Sequence, residues 1–340
     1  MDRTKGIVNI GNTCYANTAF QCLLNVECLT NYLFSDEFTE DLNIKKKEAL
    51  LTKQIYNLAK FLKYDDGDNM DCANKVSNVF KAFNICFKDN KFRIGRQEDS
   101  HEFMIYLLDN LHEALSCEIE YNINGDIMND RDRIMKDSFN EWIKFIKRGY
   151  SVISQHFFGQ FYKNIYSKDD NKLLSPTYQT FNHLTIPINE DSETIYDCLD
   201  EFFENEYLED DNQYYDEKSN EHIDAYINYR IIRAPNILVI VFKRFINGLR
   251  KINSLIQFPI NDLDLDKYIY GYDKTNTKYD LLCVGNHAGG LNGGHYFSYI
   301  RKGDKWFICD DNKVAEMDEN KIISPMNYYL IYKKKQFRRQ

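Results

Sequence analysis

Residues 6–25, GIVNIGNTCYANTAFQCLLN, set the reading of the whole chain. Ala16, Ala19, Phe20, Leu23 and Leu24 fall at i, i+3, i+4, i+7 and i+8. That spacing predicts one apolar stripe on a helix that begins near Cys14. The first turn of a helix leaves backbone N–H groups unpaired, and its dipole favours negative charge. A thiol placed there is expected to ionise more readily, its pKa falling from ~8.5 into the range ~3.5–7.5. Asn9, just upstream, offers an amide donor for a developing oxyanion, alongside the Cys14 backbone N–H. The plainer alternative makes Cys14 a small buried hydrophobe and Asn12 or Thr13 a simple helix cap. Only a matching base elsewhere decides between them.

The wider composition narrows the class. The chain has 340 residues, 43% hydrophobic and 28% charged, which is globular composition. Its net charge of −9 argues against a surface built mainly for nucleic acid or anionic membrane, so neither is expected as a partner. The longest apolar run in the strongest strand candidate, Ile237 to Phe242, is far too short to span a bilayer. No secretory signal is expected from MDRTKGIVNI. Nine irregularly spaced Cys without any CxxC pair suit reduced thiols in the cytosol or nucleus, and no cysteine-built zinc site or other cofactor is expected.

Along the chain, helical patterns come first. Residues 46–63 and about 99–114 read as amphipathic helices, 118–136 as a polar loop, and 138–148 as one more short helix. After about 155 the pattern turns to strands: 237–245, 279–285, 295–301, 305–309 and 328–333. The acid-rich stretch 201–224 reads as a solvated excursion. The expectation is an α+β fold with a helical N-terminal lobe and a largely β C-terminal lobe.

The base comes from the second lobe. Residues 285–294, GNHAGGLNGG, hold five of the 15 glycines, and His295 follows at once. So little side chain lets another backbone approach closely. Asp310 lies fifteen positions beyond His295. Two strands joined through Lys302-Gly303-Asp304 would form a hairpin that sets this carboxylate beside the imidazole, fixing its tautomer. A hydrogen-bonded strand histidine and a turn acid are the bland alternatives for His295 and for Asp310–Asp311. A helix-start Cys and a distant His–Asp pair together suggest the split arrangement of a thiol protease.

Five segments, in order, then resemble the ubiquitin-specific protease family. They are the cysteine box above, RQEDSHEFMIYLLDNLHE (96–113), APNILVIVFKRF (234–245), YDLLCVGNHAGGLNGGHYFSYIRKGDKWFICDDNKV (279–314) and NYYLIYKK (327–334). The resemblance covers about residues 6 to 334. It implies a papain-like hand in one catalytic domain, 1–340: a helical thumb (about 1–150), β fingers (about 160–235) and a β palm (about 236–334). It implies hydrolysis of the bond after ubiquitin's C-terminal glycine, with ubiquitin and ubiquitinated proteins as partners.

The same resemblance assigns roles. Cys14 would be the nucleophile, His295 the general base, Asp310 the orienting acid and Asn9 the oxyanion donor; Asp311 and Asn12 are additional candidates. Asp99 and Glu102 would face the arginine-bearing ubiquitin tail, and as Asp-x-x-Glu they also suit a capping box. Gly293, Gly294 and Tyr296 would flank a channel that admits only glycine. One departure stands out. Many relatives carry two CxxC zinc pairs at the fingertips, whereas 163–178 and 211–222 contain no Cys, and His183 and His222 are too separated to suggest a site. No metal is expected, and strand pairing and aromatic packing would have to hold the fingers. The basic KKKQFRRQ terminus reads as a solvated tail. Two other readings stay open: a non-catalytic ubiquitin-binding scaffold, and a protease for another ubiquitin-like modifier.

Overall fold

The computed structural model describes residues 4–246, 250–271, 276–290 and 293–335. The distal part of the basic terminus, 336–340, and Leu291–Asn292 of the glycine-rich stretch lie outside them.

Eight helices come first: α1 (Cys14–Leu23), α2 (Glu27–Leu33), α3 (Asp36–Asp41), α4 (Glu48–Tyr64), α5 (Asn69–Cys86), α6 (Ser100–Leu115), α7 (Asp130–Lys147) and α8 (Val152–His156). They cohere through aromatic rings. Tyr15 and Phe20 of α1 meet Phe103 of α6 edge-on at 5.3 and 5.5 Å, and Phe80 of α5 stacks on Phe103 at 6.2 Å. Every residue of α1 is buried. It is therefore a core helix, held from all sides, and its first residue is fixed in space.

Strands follow: β1 (Gly159–Ser167), β2 (Leu173–Phe181), β3 (Leu184–Ile186), then α9 (Ile195–Phe202), β4 (Glu206–Leu208), β5 (Tyr214–Asp216), β6 (Glu221–Ile223), β7 (Ala225–Arg233) and β8 (Ile237–Phe242). The remainder are β9 (Phe245–Ile246), β10 (Arg250–Lys251), β11 (Leu263–Asp264), β12 (Lys278–Gly290), β13 (Gly293–Lys302), β14 (Lys305–Asp310), β15 (Lys313–Met317) and β16 (Asn327–Lys334). The large sheet runs β15-β14-β13-β12-β16-β8-β3, with β11 added beside β12, and only β3–β8 is parallel. All six residues of β8 are buried. Ile237, Val239 and Val241 join the helical core, whereas Leu238, Ile240 and Phe242 join a second core on the opposite face. That two-sided burial explains the continuous apolar run seen in the sequence.

A separate sheet, β2-β1-β7-β4, occupies the region expected to form fingers. The span 160–235 does not stay together, because β3 leaves it to pair with β8 and α9 packs against the large sheet's second core. Other boundaries also shift. The polar stretch 118–136 is helical from Asp130, where Asn129 and Asp132 form a reciprocal cap, so the short helix expected at 138–148 is the end of a longer one. The stretch 201–224 carries three short strands and the end of α9, not a bare excursion. The expected strand 237–245 stops at Phe242, and the chain restarts pairing as the small β9–β10 hairpin. His183 packs on His101 at 4.7 Å and His222 on Tyr215 at 5.3 Å, so the two finger-region histidines serve different neighbourhoods.

Candidate active site

The loop before α1 is built by its own side chains. Asn9 Oδ1 accepts from the Gly11 and Thr13 N–H groups, each at 3.1 Å, a turn in which an asparagine mimics backbone. Gly11 (φ +119°) and Asn12 (φ +52°) both take left-handed backbone, which reverses the chain into the helix. Asn12 donates to the Gly95 carbonyl at 3.0 Å, tying this loop to the segment that leads into α6. Cys14 is then the first helical residue, only 5% exposed, after Thr13 at the cap position. Thr13 makes no side-chain cap bond; its hydroxyl accepts from the Ile10 N–H instead, at 3.1 Å.

The imidazole and its acid meet across the β13–β14 hairpin. The turn lies at Gly303–Asp304, and the register pairs Ser298 with Cys309. His295 Nε2 stands 2.6 Å from Asp310 Oδ1, both groups partly exposed. The neighbouring Asp311 keeps a carboxylate oxygen within 4.8 Å of this pair but makes its side-chain bonds to the cysteine loop and its helix. It accepts from Asn9 Nδ2 at 3.0 Å and Asn17 Nδ2 at 2.7 Å, and its carbonyl accepts from the Ile7 N–H at 2.8 Å. Two adjacent carboxylates are thus divided between two tasks, one facing the imidazole and one facing the segment around Cys14.

A cleft of about 310 Å³ brings together Cys14, Asp99, Glu102, Gly293, Gly294 and Tyr296. These come from α1, the start of α6 and the start of β13, elements from both ends of the chain. The Tyr296 backbone N–H faces the same cleft as the Cys14 sulfur and favours its charged form, which sets the residue after His295 beside the thiol. Burial pushes the Cys14 thiol up, the Tyr296 and Tyr15 N–H groups act against it, and the Asp311 charge raises it further. Desolvation at this position thus works against the helix start, which alone would favour the thiolate.

Asp99 caps α6 by accepting from the Glu102 N–H at 2.9 Å. The reciprocal half of a capping box is missing, since the Glu102 carboxylate pairs with Lys91. Asp99 also accepts from Tyr328 Oη at 2.7 Å, and burial raises its carboxyl. Of the two channel glycines, only Gly294 is fixed by packing, since a Cβ on Gly293 would meet nothing closer than Gln97 Oε1 at 3.9 Å. A Cβ on Gly294 would lie 2.2 Å from His287 Nε2 and 2.5 Å from the Ala288 carbonyl oxygen, so the β12–β13 pairing itself demands glycine. His287 and Phe245 also line the cleft and were missed. His287 packs against Tyr296 at 4.6 Å and Phe245 at 5.4 Å, and burial lowers it to about 4. Lys251 spans from β10 to the His287 carbonyl at 2.6 Å and the Gly289 carbonyl at 3.2 Å, joining the β9–β10 hairpin to the glycine-rich rim. The available signal was weak: one His inside a glycine-rich run.

A thiol at a helix start, an imidazole–carboxylate pair on the β13–β14 hairpin and a cleft between a helical lobe and a mostly antiparallel sheet place the chain in the class of papain-like thiol hydrolases. The family model "Ubiquitin carboxyl-terminal hydrolase" matches residues 5–332. A viral relative, R319 of Acanthamoeba polyphaga mimivirus, named a probable ubiquitin carboxyl-terminal hydrolase, is 27% identical over 96% of this chain and 89% of its own length. Ubiquitin carboxyl-terminal hydrolase 4 of the yeast Vanderwaltozyma polyspora is 30% identical over 98% of this chain, which spans only 41% of that relative. Among solved structures, the SAGA Ubp8/Sgf11/Sus1/Sgf73 DUB module bound to ubiquitin aldehyde superposes with a TM-score of 0.78 over 98% of this chain and 70% of that one, at 21% identity. The chain belongs to the ubiquitin carboxyl-terminal hydrolase family. Among the described residues no helix is long and apolar enough to cross a membrane.

Proposed function

We propose that this chain hydrolyses the bond after the C-terminal glycine of ubiquitin by thiol chemistry. The observation that carries the reading is the His295–Asp310 contact of 2.6 Å on the strand whose next residue, Tyr296, lines one cleft with Cys14. His295 takes the Cys14 proton as the sulfur attacks the scissile carbonyl. The carbonyl π electrons move onto oxygen, and the Cys14 backbone N–H with the Asn9 amide stabilises that charge. Asn12, tied to Gly95, shapes the loop that presents these donors. Collapse of the tetrahedral species expels the lysine amine, which receives the proton from His295, and leaves a thioester. Water, deprotonated by His295, then releases the carboxylate and restores the thiol. Asp310 holds the imidazole tautomer throughout.

Asp99 and Glu102 form an acidic lip at the cleft and would meet the cationic part of the ubiquitin tail, while Gly293, Gly294 and Tyr296 bound its glycine end. The nine cysteines are all free thiols in the fold, which supports work in a reducing cytosolic or nuclear compartment. Segments 1–150, about 160–235 and about 236–334 would act as thumb, fingers and palm of one catalytic domain, with β3 and α9 of the middle span given over to the palm. The test is labelling with ubiquitin carrying a thiol-reactive C-terminal warhead. Wild type should label and Cys14→Ala, folded by thermal melt, should not. Labelling that persists in Cys14→Ala, or occurs only with another modifier's probe, would refute the assignment.

A further inference from the structure

A larger concavity lies at the far end of the elements that carry the catalytic groups. It encloses about 1110 Å³ between the ends of α1, α2 and α4 and the ends of β12, β13 and β16. On β13, His295 and Arg301 are six residues apart, roughly 20 Å at strand rise. Cys14 opens α1, whereas Leu24, just past its end, lines this groove. Asn25 Nδ2 closes the back of it by donating to the Arg301 carbonyl at 3.1 Å. A ligand seated here would not touch the cleft.

The charge of this groove departs from that of the chain. Among its lining residues are eight Lys or Arg against two carboxylates, whereas the whole chain carries 43 against 52. Three of the cations are matched by acids: Lys305 with Glu316 at 2.8 Å, Lys333 with Glu27 at 2.9 Å, and Lys335 with Asp262 at 2.7 Å. Others are held by neutral groups. Lys63 sits over the Phe34 and Tyr64 rings at 5.1 and 5.5 Å, Arg301 donates to Asn261 at 2.7 Å, and Lys5 donates to the Gly67 carbonyl at 3.2 Å. Lys302 stands on the same rim. The floor is apolar, made by Leu24, Phe34, Leu62 and Phe307, each half-buried against the helical core. The basic run Lys333–Lys335, read from sequence as the start of a solvated tail, is instead part of this wall.

We propose that this groove is an exosite for an acidic peptide segment of a partner or substrate protein, one that alternates carboxylates with apolar side chains. Cations along the walls meet the carboxylates, and the apolar floor takes the residues between them. Nucleic acid fits less well: duplex DNA places one charge per ~1.7 Å, and Glu27 and Asp280 inside the groove, with the chain's net −9, oppose so dense a polyanion.

The experiment measures fluorescence anisotropy of a labelled peptide alternating Glu with Leu or Phe, titrated with the full chain. Binding should saturate and weaken steadily with added salt. Lys63→Glu/Lys302→Glu should lower affinity by about tenfold or more, since two attractions become repulsions. Lys63→Gln/Lys302→Gln should fall between, and both variants should melt as wild type and cleave a fluorogenic ubiquitin ester at the wild-type rate. Equal affinity in wild type and the charge-reversed variant would overturn the proposal. So would equal binding of the Glu→Gln peptide, displacement by single-stranded DNA more readily than by unlabelled peptide, or a self-associated dimer that the same variant dissolves.

Discussion

Asn9 and Asp311, 302 positions apart, are bonded side chain to side chain, Asn9 Nδ2 to Asp311 Oδ2 at 3.0 Å. The other Asp311 oxygen holds Asn17 at 2.7 Å, on the helix that Cys14 opens. One carboxylate therefore fixes both the proposed oxyanion donor and the helix of the nucleophile. Asn9→Ala should lower kcat by ~10²–10³, the loss typical of one oxyanion donor. Asp311→Ala should cost about tenfold by releasing Asn9 and loosening Asn17, and the double variant should lose less than the product of the two single losses. Steady-state kinetics on a fluorogenic ubiquitin substrate checks this; losses that simply multiply would show that the two residues act independently.

The resting thiol gives a second prediction. Because burial raises Cys14 above the ordinary thiol value of ~8.5, the thiolate fraction near neutral pH is small and grows as pH rises. Alkylation of the Cys14 peptide by iodoacetamide, followed by mass spectrometry, should accelerate about tenfold per pH unit from 6 to 9 without levelling. A plateau between pH 6 and 8 would reveal a preformed ion pair with His295 and rule out desolvation as the dominant influence on this thiol.

Much of this arrangement was legible in the sequence, and the limits are physical. The α1 stripe, the β8 run and strands β12, β13, β14 and β16 showed through because their apolar residues recur at helix spacing or cluster as β-branched and aromatic runs. Helix α5 was missed although Cys72, Val76, Val79, Phe80 and Phe83 lie on one buried face and Asp68 with Asp71 caps it reciprocally. Asn, Ser and Lys between those positions blurred the stripe. The lysine-rich terminus was misread because charge pattern alone does not say which wall of a groove a strand end forms. The direction of the Cys14 shift was missed because local position indicates the helix dipole, whereas the burial that outweighs it comes from α6 and β13.

Gly294 and Gly290 separate packing from catalysis. A Cβ at 294 meets His287 Nε2 at 2.2 Å, whereas one at 290 meets nothing within 4 Å. Gly294→Ala should destabilise the fold by ~1–3 kcal/mol, the usual cost of forcing atoms into a filled space. Gly290→Ala should melt like wild type. Chemical denaturation of both variants tests the pair, and equal stability would mean the β12–β13 edge relaxes freely.

The fold should weaken in mild acid. Burial lowers His101 to about 3 and His287 to about 4, and it lowers His112, His156 and His183 as well. Below about 6.5 the unfolded chain binds protons that the folded chain refuses, so stability falls as pH drops from there toward those folded values. Asp99 and Asp109, both raised, offset part of the loss. The net change between pH 7.5 and 5 should be on the order of a few kcal/mol, read as a falling melting temperature. A flat profile over that range would show that these imidazoles open to solvent.

The β2-β1-β7-β4 sheet gives the last prediction. Tyr162 on β1 is only 2% exposed, and its ring lies 5.3 Å from both Tyr178 and Tyr270. The same sheet is fastened to α7, where Ser138 Oγ donates to Gln160 Oε1 at 2.7 Å and Gln160 Nε2 donates back to the Ser138 carbonyl at 3.2 Å. Tyr178 Oη adds a bond to the Ile134 carbonyl at 3.1 Å. Rings and a buttressing helix thus hold the strands of this sheet together. Tyr162→Ala should cost ~3–5 kcal/mol, as large aromatic truncations in cores do, while Tyr162→Phe, which keeps the ring, should stay within about 1 kcal/mol. A chelator should leave the melting temperature of the wild type unchanged, and metal analysis should find no stoichiometric zinc. One zinc per chain, or a chelator-sensitive transition with an unaffected Tyr162→Ala, would assign the integrity of this sheet to a metal and not to its aromatic packing.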